Sequence, residues 1–235
     1  VRFRHHTHRN EDKGHVEIEW HSSERTLVVR DTGVGMTQDT VEKHFLTVGS
    51  SYYRDAKVEE AHPDFSPISR FGIGVLSTFM VSDDVQVLTV HPDEPDARRL
   101  SLPNAKGRYL IQLLPKDDAA VQRIGPHGTE VRLRVRSRAT LDDVLETARH
   151  WIVIPGCDVT VTVDGGEPAR VGHESVKAAV QTLWADAYDG DTRVVATADG
   201  LTQVAFGVWW LRYFDIWEFG RRRSEEDSER PEWPG

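Results

Sequence analysis

The run Asp31-Thr32-Gly33-Val34-Gly35-Met36 decides how this chain is read. It follows the apolar triplet Leu27-Val28-Val29, so Asp31 falls at the end of a strand with two glycines just beyond it. A carboxylate so placed lies where backbone can approach a ligand closely, because glycine carries no Cβ to hold it off. Ionised Asp is acceptor-only and can take a hydrogen bond from an exocyclic amine such as that of adenine. Gly33 and Gly35 leave room for a purine, and Met36 offers a polarisable apolar wall.

The same letters allow two other readings. One is a plain turn capped by Asp. The other is the Asp-Thr-Gly of two-aspartate proteases, in which a pair of carboxyls shares one proton. That chemistry needs a second copy, and Asp191-Thr192 is followed by Arg193.

Upstream, Val16, Ile18 and Trp20 alternate with polar residues as a half-buried strand does, so 16–31 reads as a hairpin with the glycine run at its exit. The Arg- and His-rich residues 1–10 have no core pattern and read as a frayed end; the chain opens on Val, as a fragment or processed product would. Downstream, 37–45 reads as a short helix with Thr37 as N-cap and Asp39 in its first turn. Residues 47–70 turn polar and irregular, with Gly49, Ser50, Ser51, Pro63 and Pro67. A loop this long inside a domain is usually functional, for example a lid.

A second glycine pair, Phe71-Gly72-Ile73-Gly74, then opens the apolar segment 75–81, expected as a buried helix. Such a turn can aim backbone N–H groups at phosphates. Strands are expected at 85–90, 109–114, 131–135 and 159–163, and a helix over 141–154. Gly128-Thr129 opens the third of these strands and would bring a hydroxyl near Asp31; Arg132, Arg134 and Arg136 are expected on its solvent face. Beyond Gly166 a helix is expected over 175–187 and an aromatic, strand-like stretch over 202–217, before a charged tail at 221–235 that reads as disordered.

Composition sets bounds. A 29% charged fraction suits a solvated surface, and no stretch of about 18 apolar residues is present to span a bilayer. The net charge of −9 argues against a nucleic-acid partner. The single Cys157 excludes an internal disulfide and suits the cytoplasm; it reads as a small buried residue. His5, His6 and His8 lack the ligand framework of a structural metal site. Trp209, Trp210 and Trp217 read as core or an interdomain face, and Arg221-Arg222-Arg223 as solvated.

Taken together, Asp31-Thr32-Gly33-Val34-Gly35-Met36, Ser69-Arg70-Phe71-Gly72-Ile73-Gly74-Val75-Leu76-Ser77, Phe79-Met80-Val81-Ser82-Asp83 and Gly128-Thr129 occur in the order found in the heat-shock protein 90 family, and the chain resembles that family over about residues 15–165. The family belongs to the gyrase, histidine-kinase and MutL superfamily. The resemblance implies an α+β, Bergerat-type two-layer sandwich: a mixed, mostly antiparallel sheet with helices on one face. It implies an ATP-binding domain over 1–165, the start of a middle-like segment over 166–220, and the tail at 221–235. It implies ATP or ADP bound with Asp31 on the adenine amine beside Gly33, Gly35 and Met36, and Thr129 nearby. Gly72, Ile73, Gly74 and Val75, with Phe71, would offer backbone to the phosphates. Thr47, Gly49 and Ser50 would belong to the hinge side of a lid over 47–70. Arg70 stands where the family usually has Gln, and it reads either as a direct phosphate contact or as a solvated surface arginine.

The resemblance also implies a first motif, a helix whose Glu activates water and whose Asn holds Mg²⁺. Only 1–15 precede the strand at Val16, and Asn10 and Glu11 sit in no apolar helix. The expectation is therefore a chain that starts after that helix and lacks its catalytic and metal residues, with Mg²⁺ and hydrolysis belonging to a longer parent. Client proteins are implied by the family, no membrane or nucleic-acid partner is expected, and dimerisation is expected to be encoded elsewhere. A non-hydrolysing nucleotide switch or interaction module is the competing reading.

Overall fold

The hairpin around Asp31 forms. Strand β1 (His15–His21) pairs antiparallel with β2 (Thr26–Asp31), Trp20 opposite Leu27 and Val16 opposite Asp31. The structure is a computed structural model and describes residues 1–7, 13–65, 67, 72, 74–103, 109–141, 143–183, 191–198, 200, 202–211 and 216–219. The hairpin turn holds Arg25 at a φ of 51°. The Arg25 guanidinium donates to the carbonyls of Val135, Arg136 and Ala139, which offsets the cost of a left-handed backbone in a non-glycine residue.

Four more strands extend the sheet on the β2 side and beyond it: β3 (Ser82–Val90), β4 (Ala97–Leu102), β5 (Leu110–Leu114) and β6 (Gly128–Val135). Strands β7 (Asp158–Val163) and β8 (Ala169–Val171) complete it in the order β5-β4-β3-β6-β2-β1-β7-β8. Among the described strands of this sheet only the β1–β7 pair is parallel. This is the mixed, mostly antiparallel α+β sheet that the motifs implied.

Strand alternation divides the side chains between two faces. Val85, Val87, Leu100, Leu102 and Leu133 meet Val41, with Met36, Phe45, Val75 and Phe79 packed around them. The helices on that face are α2 (Gln38–Thr40), continued by a π turn over Val41–Phe45, and the later α4 (Gly74–Val81). Thr37 caps α2 by accepting from the Thr40 N–H, as the sequence suggested. On the opposite face the short α5 (Ala119–Ile124) seats Val121 and Ile124 on Leu88, Val90, Ala97 and Leu114. Its N-cap is Asp118, and nothing in the apolar pattern announces so short a helix.

Several expectations are corrected. Residues 2–7 are not frayed: they form α1 (Arg2–Thr7), with Phe3 and Arg4 buried. Phe3 lies 5.1–6.2 Å, centroid to centroid, from Tyr52, Tyr53, His62 and Phe65, so a long-range aromatic cluster orders a segment with no periodicity of its own. The 47–70 stretch is not wholly irregular, for it holds a 3-10 turn at Tyr52–Arg54 and α3 (Ala56–Ala61), capped by Asp55. Helix α4 forms, but none of its residues is fully buried, and Met80 is 78% exposed. Strand β4 was missed because Arg98-Arg99 disguises it. The Arg98 side chain is buried by hydrogen bonds to Gln38, Asp96 and Glu94.

The arginines of the third motif strand are not simply solvated. Arg132 bonds Glu130 at 3.3 Å, and Arg136, just past β6, pairs with Asp83. Glu130 is also held by Arg30, at 2.9 and 3.1 Å, and Arg30 reaches Glu17 on the neighbouring strand. Burial alone would raise the Glu130 carboxyl, yet the bonds from Arg30 hold it below the usual carboxylate range. Such a group adds stability above the ordinary Glu pKa and loses it as pH falls through its own lowered value. Replacing Arg30 with Met should cost about 2 kcal/mol, or roughly 4–8 °C in Tm, at pH 7 and less below pH 4. Thermal melts across that range check it, and an unchanged Tm at neutral pH would count against the network.

The chain divides into two compact units, Val1–Trp151 with Gly156–Val171, and Ile152–Pro155 with Gly172–Gly235. The first holds the eight-stranded sheet and α6 (Val144–Trp151). The second holds α7 (Val176–Leu183) and a three-stranded antiparallel sheet in the order β11 (Ile216–Phe219), β10 (Gln203–Leu211), β9 (Asp191–Ala196). Trp209 and Trp210 lie on β10 and Trp217 on β11. The packing expected of their side chains, the Arg221–Arg223 run and the 221–235 tail fall outside the described residues.

Candidate functional site

Asp31, Thr129 and Thr89 stand side by side where β2, β6 and β3 pair, Thr129 being the register partner of both others. Because paired residues point to the same face, all three side chains share the face of the sheet on which α2 and α4 pack. Asp31 Oδ1 accepts the Gly33 N–H at 2.7 Å, and the Gly33 carbonyl lies 2.8 Å from His127 Nδ1. The chain then turns so that the Met36 N–H donates to Thr89 Oγ1 at 2.9 Å. Thr89 Oγ1 lies 3.1 Å from Thr129 Oγ1 and 3.3 Å from the Gly128 carbonyl.

Close approach explains three glycines. Gly35 has a φ of 73°, and an added Cβ would overlap the Val90 carbonyl. At Gly128, with a φ of 134°, it would overlap the Asp31 carbonyl. Gly72, at 61°, lies against the backbone of Ser50 in the same way, and its carbonyl accepts the Gly49 N–H at 3.2 Å. The second glycine motif is thereby joined to the start of the 47–70 stretch, although Ser50 and Gly72 lie 22 positions apart. Ser50 Oγ bonds His44 Nδ1 at 2.8 Å, and the Thr47 hydroxyl caps the preceding turn at the Glu42 carbonyl, 2.9 Å away. Around Gly74 space is open, and Val75 packs on the core. Arg70, Phe71 and Ile73 lie outside the described residues.

Residues 10–129, a little over half of the chain, match the family of histidine kinase-, DNA gyrase B- and HSP90-like ATPases. The chain belongs to this family. Among its relatives are proteins called chaperone protein HtpG. That of Mycolicibacterium vanbaalenii is 32% identical over 144 residues, covering 58% of this chain and 21% of the relative. That of Mycolicibacterium gilvum is 30% identical over 187 residues, 72% of this chain and 28% of the relative. That of Mycobacterium tuberculosis H37Rv is 34% identical over 144 residues, 58% and 21%. The chain thus spans less than a third of the length of these relatives. It is an HSP90-like ATP-binding domain, and the Asp31 cluster lies at the junction of its central strands.

The electrostatics of this cluster centre on the Asp31 carboxylate. Burial raises the Asp31 carboxyl above the usual range, against the opposing pull of the Gly33 N–H and His127. Burial also raises the Tyr53 hydroxyl, with the Asp31 charge adding to the shift, so the aromatic face of the 47–70 stretch lies within electrostatic reach of Asp31. Cys157 is half-buried rather than buried; burial pushes its thiol up and leaves it a poor nucleophile at neutral pH.

Sequence reasoning missed Thr89, Tyr53 and His127. Thr89 was legible in principle, since it continues the Val85-Val87 alternation and so had to be a hydroxyl pointing into the core face. Tyr53 and His127 carry no such signal, because only the fold brings them to Asp31. Among the described residues no three His, Cys, Asp or Glu side chains converge as a group that could hold a metal ion. None of the described helices is long and apolar enough to cross a membrane.

Proposed function

We propose that this domain binds ATP through the Asp31 cluster and couples occupancy of the pocket to the position of the 47–70 stretch. The observation that carries the reading is the alignment of Asp31 and Thr129 on adjacent strands beside a backbone turn that only glycine fits. Asp31 accepts from the adenine amine, and Thr129 completes the base-reading edge. Gly33, Gly35 and Met36 form the purine wall. Gly72, Gly74 and Val75, with Phe71, Ile73 and Arg70 between and before them, face the phosphates. Thr47, Gly49 and Ser50 form the hinge of the lid.

These residues supply recognition rather than turnover. The one carboxylate among the described members of the set, Asp31, is committed to the Gly33 N–H and the base. In the parent protein the domain serves a chaperone-type cycle in the cytoplasm, in which nucleotide shifts the protein between conformations acting on client proteins. The HtpG relatives support that reading.

Calorimetric titration with ATP, ADP and GTP tests it. Both adenine nucleotides should bind, and GTP should be excluded because the guanine O6 would face the lone pairs of Asp31. Absence of adenine nucleotide binding would sink the proposal. Binding with background turnover would mark the chain as a switch rather than a complete catalyst.

A further inference from the structure

The eight-stranded sheet ends in β5 on one side and β8 on the other, and the two edges are built differently. β8 is three residues long and carries Arg170, paired with Asp158. A short, charged edge of this kind resists pairing with another chain. β5 has neither device. Its five residues, Leu110-Ile111-Gln112-Leu113-Leu114, carry no charge, and their register with β4 runs without a bulge. Leu110 is 65% exposed and Leu113 56%, and because strand residues alternate, apolar surface meets solvent on both faces of the strand. Among the described residues β4 is the only strand paired with β5, so alternate N–H and C=O groups of β5 point outward from the sheet.

We propose that β5 is the contact surface for a second copy of this chain, the two strands pairing antiparallel about a two-fold axis at Gln112. The pattern of the strand selects this occupant, since it has two apolar residues on either side of Gln112 and reads alike in both directions. About that axis Ile111 meets Leu113 of the second copy, and Leu110 meets its Leu114. The two Gln112 side chains face each other, each amide offering both a donor and an acceptor. Every contact is made twice, as a two-fold interface requires. Charge selects it too. The whole chain carries −9, so most surfaces of two copies repel, whereas β5 brings no charge to the seam. The nearest exposed acid, Asp117, sits in the turn that follows the strand, and the antiparallel arrangement holds the two copies of that turn at opposite ends. The axis uses up the outer edge of β5, so association stops at a dimer. Five paired residues bury less than the roughly 1,200 Å² of a standard interface, and the dimer is accordingly weak and concentration-dependent. It adds a contact to a chain whose dimerisation the family resemblance places elsewhere, and it is independent of nucleotide.

Sedimentation velocity on the full chain, from micromolar to near-millimolar concentration, tests it with wild type, Gln112→Lys, Gln112→Glu and an equal mixture of the two variants. Wild type should pass from monomer to dimer and no further. Each variant alone sets like charges opposite each other and should raise the dimer Kd about 10-fold. The mixture sets Lys against Glu and should recover association. Gln112 is exposed, so both variants should melt with wild type. A wild type that stays monomeric throughout, or that assembles beyond a dimer, overturns the proposal. So do variants that associate as wild type does, and a mixture that fails to recover. If a charged variant does not fold, Gln112→Cys in a Cys157→Ser background decides. Residues facing each other across an antiparallel pair lie about 4.5–5.5 Å apart at Cα, within disulfide reach. Oxidation should therefore link this variant to itself but leave Leu110→Cys, whose two copies lie out of register, unlinked. The opposite pattern, or no link at a concentration where wild type dimerises, overturns the two-fold pairing.

Discussion

Replacing Asp31 with Asn should weaken ATP binding about 10- to 150-fold while raising the melting temperature of the free protein at pH 7. The first effect follows from the loss of a charge-assisted hydrogen bond, worth about 1.5–3 kcal/mol, to the base amine. The second follows from burial, which raises the Asp31 carboxyl above its ordinary range. A raised carboxyl contributes its full stability below the unfolded-state pKa and loses it as pH rises through the folded value. At neutral pH the wild type therefore holds a charge in a site that disfavours it. Asn is neutral throughout and its side-chain oxygen still accepts the Gly33 N–H, a bond of 2.7 Å in the wild type.

The expected gain is about 0.5–2 kcal/mol, or roughly 2–6 °C; it shrinks as pH falls through the raised Asp31 value and is gone below the ordinary carboxylate pKa of about 3.9. Thermal melts from pH 3 to 7, paired with calorimetry, read both effects. An Asn variant less stable than wild type at pH 7 would show that the Asp31–Gly33 bond outweighs the burial cost. Trading fold stability for a ligand-directed charge is common at binding sites.

Gly35→Ala should be the most damaging single methyl in the pocket. At a φ of 73° an L-residue costs about 1–2 kcal/mol, and the new Cβ would overlap the Val90 carbonyl, backbone that cannot swing aside like a flexible side chain. Relief by shifting the turn adds about 1–3 kcal/mol and breaks the Met36 N–H bond to Thr89. A total of about 2–5 kcal/mol predicts a Tm lower by roughly 4–20 °C and loss of nucleotide binding. Gly74→Ala is the control, since nothing lies within 4 Å of its added Cβ. A Gly35→Ala protein as stable as Gly74→Ala would disprove the close-approach argument.

The parts of the site legible in the sequence are those whose chemistry is local. The glycines of Asp31-Thr32-Gly33-Val34-Gly35-Met36 announce a turn that side chains would block, and the Val16-Ile18-Trp20 alternation announces a strand facing a core. Helix α1 was illegible because six residues carry too little periodicity, and its order comes from Phe3 seated among aromatics about 50 to 60 positions away. Strand β4 was hidden by a buried arginine whose partners, Gln38 and Glu94, only the fold supplies.

By itself, then, the sequence determined the strand ends, the close-approach glycines and the acceptor at Asp31, since each follows from the covalent properties of neighbouring residues. Only the tertiary structure decided which strand ends meet. The registers of β2 with β6 and of β6 with β3 bring together Asp31, Thr129 and Thr89, residues 40 to 98 positions apart. A register is fixed by the pairing of whole strands over a shared core and not by any local motif, so the Thr89 hydroxyl beside Thr129 became visible only once the sheet was assembled.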